Sequence, residues 1–129
     1  MNDCRSALEA AGLDPQVGFL HALRPGRSAL ALDLMEEFRP WADRLALSLI
    51  NRGQITADDF VVREGGGVAL EPNARKAVVV AFQERKREEL THPLLAQTVS
   101  LGLVPLVQAR LLARAIREDA APYVPFVPK

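Results

Sequence analysis

The stretch Ser28 to Asn51, SALALDLMEEFRPWADRLALSLIN, decides how this chain is read. Wound at about 100° per residue, it gathers Leu34, Met35, Phe38, Trp41, Ala42, Leu45 and Leu49 on one broad side. Asp33, Glu36, Glu37, Arg44, Ser48 and Asn51 fall on the other. An apolar stripe of that period marks an amphipathic helix. Ser28 is a good residue to begin it and Gly53 to end it. Pro40 falls inside, has no N–H to donate to the carbonyl of residue 36, and predicts a kink or a break there.

Before this stretch, DCRSALEAA (residues 3–11) predicts a short helix closed by Gly12, with Asp14-Pro15 forcing an extended turn. The chain then runs extended through VGFLHAL and turns at Arg24-Pro25-Gly26-Arg27. Beyond Gly53, Thr56 begins a short helical turn, and VVREGGGVAL predicts a hairpin turning on Gly65 to Gly67. Those glycines lack the Lys-Ser/Thr pair of a phosphate loop. Pro72 opens a helix to about Leu90, with Ala74, Val78, Ala81 and Phe82 as its stripe and ERKREEL as a solvated end. His92-Pro93 breaks it, Leu94 to Leu101 is a further helical candidate, and Pro105 starts a last helix to about Asp119. The tail APYVPFVPK favours extended geometry, either docked through Tyr123 and Phe126 or loose. The expected fold is mainly α, a single multi-helix domain over residues 1–129 with at most one short β-hairpin.

A chain of 129 residues, 49% hydrophobic and 25% charged, has the composition of a folded globular domain. Sixteen basic residues balance sixteen acidic ones, so total charge does not announce an autonomous nucleic-acid binder. Cys4 is the only cysteine, which excludes an internal disulfide and a thiolate zinc cage and fits a reducing cytoplasm. The longest clean apolar run, Ala77 to Phe82, is far below the ~20 residues of a bilayer span. A soluble, cytoplasmic chain without a membrane partner is expected.

Three groups could carry chemistry. On a helix Asp33, Glu36 and Glu37 can converge on one patch, although these positions also suit a plain polar face balanced by Arg24, Arg27, Arg39 and Arg44. His21 alone reads equally as a hydrogen-bonded core group. Together, imidazole nitrogen and carboxylate oxygens without thiolate suit Mn²⁺ or Mg²⁺, with water and substrate phosphate completing the shell. Arg110, Arg114 and Arg117 share one side of the last helix, either as phosphate contacts or as a solvated stripe paired with Glu118 and Asp119. His92, beside Pro93, reads as structural.

The segments GLDPQVGFLHALRPGRSALALDLMEEFRP (Gly12–Pro40) and VPLVQARLLARAIRED (Val104–Asp119) closely resemble the catalytic helical domain of the CRISPR-associated integrase family, and the likeness covers about residues 3–129. The resemblance implies a metal-dependent DNA endonuclease and integrase that joins 3′ hydroxyls of short DNA fragments to the CRISPR repeat. In that family a glutamate, a histidine and a later acidic residue hold Mn²⁺ or Mg²⁺. His21 matches the histidine, Glu36 the later acidic ligand and Asp33 a second acidic position beside the site. Arg39 falls where the family often has a basic residue near the DNA, and Arg24, Arg27, Arg110 and Arg114 are further expected DNA contacts.

The family's first glutamate has no counterpart here, since Glu9 lies in no matching motif, and the amino-terminal β-rich dimerisation domain has none either. The chain is therefore expected to be a carboxy-terminal portion of the full integrase, weakly active or inactive by itself. Implied partners are double-stranded DNA, a small second CRISPR-associated protein and, in the full-length protein, a second copy of itself. Two other readings stay open: a non-catalytic helical DNA-binding module, and an interaction scaffold whose carboxylates are only solvated.

Overall fold

The computed structural model describes residues 1–22, 24–117 and 122–127. Its centre is built by α1 (Asn2–Ala10), α2 (Ala29–Glu36) and α5 (Val104–Ile116). Cys4, Ala7 and Leu8 of α1 are buried against Leu30, Ala31 and Leu34 of α2 and Ala109 of α5. The small side chains in this set let the helices approach closely, and Leu8, fully buried, fills the space between them. Burial pushes the Cys4 thiol up to about 11. At neutral pH Cys4 is a small hydrophobe and not a nucleophile.

The break expected at Pro40 is present. Helix α2 ends at Glu36, and α3 (Arg39–Asn51) starts with Pro40 in its first turn, where the missing N–H removes no helical bond. Helix α3 packs on α4 (Pro72–Arg87). Between them a Thr56–Asp59 capping box closes a 3₁₀ turn, and β1 (Phe60–Val62) pairs antiparallel with β2 (Val68–Leu70), Val61 opposite Ala69.

The helix expected over Leu94 to Leu101 is not formed. Helix α4 stops at Arg87, and β3 (Glu89–Thr91) pairs antiparallel with β4 (Thr98–Ser100), Leu90 opposite Val99. The turn between them is closed by Ala96 N–H to the His92 carbonyl and His92 N–H to the Gln97 carbonyl, each 2.8 Å. Pro93 starts that turn and Ala96 takes a left-handed φ of +52° within it, so no helix can propagate through the segment. The described residues thus hold two short hairpins where at most one was expected, and the architecture remains mainly α.

The tail takes the docked alternative. Phe126 is 4% exposed, with its ring 5.8 Å from Phe38, 5.1 Å from Trp41 and 5.7 Å from His92. Glu118 and Asp119, expected as partners of the α5 arginines, lie outside the described residues. No helix among the described residues is long and apolar enough to cross a membrane.

Candidate functional site

The segment between α1 and α2 lies over the first turns of α2. The Pro15 carbonyl accepts the N–H groups of Leu30 (2.9 Å) and Ala31 (3.3 Å). The start of α2 is therefore satisfied by the preceding loop. Ser28 holds the N-cap position as expected, but its side chain makes no capping bond.

One turn further along α2, Asp33 receives the backbone N–H groups of Phe19 (2.6 Å), Leu20 (3.0 Å) and His21 (3.1 Å). Its Oδ1 also lies 2.5 Å from His21 Nδ1. Burial raises the Asp33 carboxyl, but the His21 ring and the amides of Leu20, Phe19 and His21 lower it more, so it sits below the ordinary carboxylate value. An ionised carboxylate only accepts, so the contact selects the imidazole tautomer that carries its proton on Nδ1. The Nε2 lone pair is left with no hydrogen bond among the described residues, on a side chain that is 27% exposed.

Glu36 closes α2 one turn beyond Asp33, and both its oxygens accept from Arg39 Nη1 at 3.3 Å. Glu37 has a different set of partners. Its Oε2 accepts from Gln108 Nε2 (2.8 Å) and from the Phe126 amide (2.8 Å), while its Oε1 accepts the Tyr123 hydroxyl. The convergence of all three carboxylates predicted from spacing is thereby corrected, because donors on α5 and the tail draw Glu37 to another side of the helix.

Sequence reading missed the role of Gln108 and Glu37. Gln108 is fully buried, and its Oε1 meets His92 Nε2 at 3.1 Å. His92 Nδ1 in turn accepts the Leu94 and Leu95 amides at 3.3 Å each. A signal existed: Gln108 shares the α5 face with Val104, Leu111 and Leu112, and a polar residue on an apolar stripe marks a buried hydrogen-bonding group. Of the arginines, Arg39 is committed to Glu36. Arg24, Arg110 and Arg114 are exposed and Arg27 is partly exposed, and none of them forms an ion pair among the described residues.

As a donor set for a divalent ion, His21 Nε2 and a Glu36 oxygen fit in kind: nitrogen and oxygen, without thiolate. They do not make a shell alone. No group of three or more His, Cys, Asp or Glu among the described residues is arranged to hold a metal.

The fold and site define a helical domain that presents an imidazole oriented by the Asp33 carboxylate of α2. A family model described as CRISPR associated protein Cas1 matches residues 1–84. A CRISPR-associated endonuclease Cas1 of Moorella thermoacetica is 62% identical over 128 residues, covering 98% of this chain and 37% of the relative. The chain belongs to the CRISPR-associated Cas1 family. Among solved structures, a casposase bound to integration product matches with TM-score 0.82 and 29% identity, over 92% of this chain and 34% of that one. A partial Cas6-RT-Cas1–Cas2 complex matches with TM-score 0.74 and 27% identity, over 98% of this chain and 37% of that one. The chain spans little more than a third of the length of the Moorella relative, 37%.

Proposed function

We propose that this chain is the helical, metal-binding part of a DNA endonuclease and integrase of CRISPR spacer acquisition, joining 3′ hydroxyls of short DNA to a repeat. The observation that carries this reading is His21, held by Asp33 in the tautomer that leaves Nε2 open. His21 Nε2 and Glu36 would hold Mn²⁺ or Mg²⁺, with remaining ligands from water, substrate phosphate or further chain. When bound, such an ion supplies charge stabilisation at a scissile phosphate. Asp33 orients the ring so that Nε2 faces away from the carboxylate. Arg39 offsets the Glu36 charge, and Arg24, Arg27, Arg110 and Arg114 add salt-sensitive attraction for the DNA backbone. The likeness to a casposase bound to integration product and to a Cas1–Cas2 complex supports DNA and a second CRISPR-associated protein as partners; a double-stranded substrate and homodimerisation of the longer protein are part of the proposal.

With at most two donors from this chain, the expected behaviour is Mn²⁺ binding at millimolar concentration and weak or absent DNA cleavage. Titrating Mn²⁺ into labelled protein should broaden the His21 resonances first, and His21→Ala or Glu36→Ala should weaken binding at least about tenfold. Broadening that spares His21 would remove the metal reading. A second reading, a DNA-binding module without catalysis, rests on the exposed Arg110 and Arg114. It predicts DNA affinity that falls steeply with salt, depends on both arginines and ignores Mn²⁺.

A further inference from the structure

Gly18 precedes the residues whose amides bind Asp33, and a Cβ placed on it would meet three atoms at impossible range. These are Ala29 Cβ at 2.7 Å, the Ala29 carbonyl carbon at 2.8 Å and Asp33 Oδ2 at 2.8 Å. Ala29 is fully buried in the first turn of α2 and cannot yield. Non-bonded carbons settle at about 3.5–4.0 Å, so any side chain at this position lifts the loop by roughly 0.7 Å or more. The amide bonds to Asp33, now 2.6 to 3.1 Å, would then stretch toward or beyond hydrogen-bond range, and the imidazole would leave with them.

The position is demanding for a second reason. The loop that binds Asp33 through its backbone leaves Phe19 72% and Leu20 79% exposed, so side-chain burial does little to hold it in place. Beyond the Pro15 carbonyl's bonds to α2, the backbone bonds to one carboxylate hold it, and these form only if residue 18 has no Cβ.

We propose that Gly18 and Asp33 form a clamp that positions His21: the missing Cβ seats the loop on α2, and the carboxylate then fixes the ring with Nδ1 inward and Nε2 outward. Both are positioning residues, acting through His21. The inference rests on the metal reading above for its purpose, but the clamp itself is visible without metal.

The test uses the 15N-labelled chain, free of metal, at pH 8, reading the ring nitrogens by long-range proton–nitrogen correlation. His21 should show the Nδ1–H tautomer. His92, the second of the two histidines, should show Nε2–H in the same spectrum, because its Nε2 faces Gln108 Oε1 and its Nδ1 accepts amides. In Gly18→Ala the His21 pattern should move to Nε2–H or to an exchange average while His92 stays unchanged. Gly67→Ala, where a Cβ meets nothing within 4 Å, should leave both as they were. Mn²⁺ affinity should fall at least about tenfold in Gly18→Ala.

The clamp is overturned if wild-type His21 carries its proton on Nε2, or if folded Gly18→Ala, judged by an intact His92 pattern, keeps Nδ1–H. Should Gly18→Ala fail to fold, Asp33→Ala decides, since it adds no volume and leaves no acceptor for Nδ1–H: loss of the Nδ1–H form supports the clamp and its persistence overturns it. The expected tautomers without Mn²⁺ binding at His21 leave the clamp standing and remove the metal reading. Equal Mn²⁺ binding at His21 in wild type and folded Gly18→Ala removes the clamp and leaves the metal reading.

Discussion

Asp33 and Glu37 sit four residues apart and have opposite roles. Asp33 collects three backbone amides and one imidazole from a surface loop, and the ring it holds keeps a nitrogen unused. Glu37 collects Gln108, Tyr123 and the Phe126 amide from α5 and the tail, and Gln108 passes the network on to His92, whose second ring nitrogen is also engaged. Buried side-chain polar atoms among the described residues all have partners. A structural polar centre is thus distinguished from a working one by what is left unpaired. A centre whose donors and acceptors are all used holds the fold, and a centre that orients a group and leaves it a vacant lone pair can bind something.

That contrast can be broken by experiment. The largest stability loss is expected from Phe126→Ala, which empties the space among Phe38, Trp41 and His92: about 3 kcal/mol in urea unfolding, at the lower end for a buried Phe. The tautomer of His21 should not change. Glu37→Gln keeps the shape but turns an NH₂ toward groups that themselves donate, costing about 2 kcal/mol. If Mn²⁺ affinity fell with it, the two centres would not be independent.

Tyr123→Phe should cost about 1 kcal/mol or somewhat more near neutral pH, where the hydroxyl's bond to Glu37 and the one it accepts from Gln108 are lost. Its pH dependence has a definite sign. Burial, and then the hydrogen bond to Glu37, raise the Tyr123 phenol well above its ordinary value of 10.0. The unfolded chain gives up that proton first, so it binds fewer protons than the folded one and stability falls as pH rises. The contribution is complete below pH 10.0 and is lost above it, so wild type should lose stability between pH 10 and 12 more steeply than Tyr123→Phe. The smallest effect on stability belongs to the other centre. His21→Ala should shift unfolding by less than about 1 kcal/mol, because the ring is partly exposed, while removing Mn²⁺ binding. A loss as large as that of Phe126→Ala would make His21 a structural residue.

Much of this was legible in the chain of letters. The apolar period of residues 28–51 and the Pro40 break, the Gly12 stop after α1, and the glycine turn of the first hairpin all follow from local rules that need no neighbours. The segment 94–101 was not legible, because its apolar run suits a helix as well as a strand and only pairing with Glu89–Thr91 resolves it. The His21–Asp33 pair was legible as two chemically apt residues near each other, but Glu37, drawn by the same spacing, belonged elsewhere. Nothing in local sequence says that Gln108 lies 71 positions away with a donor pointing at it.

Local sequence was enough for the helical class, the break at Pro40 and the chemical kinds available to a site, since propensity, proline geometry and side-chain chemistry need no distant neighbours. The tertiary structure decided which carboxylate meets the imidazole, which one anchors the tail, and that residue 18 can carry no side chain. Those outcomes depend on donors and backbone brought together from distant parts of the chain, at distances no periodicity encodes.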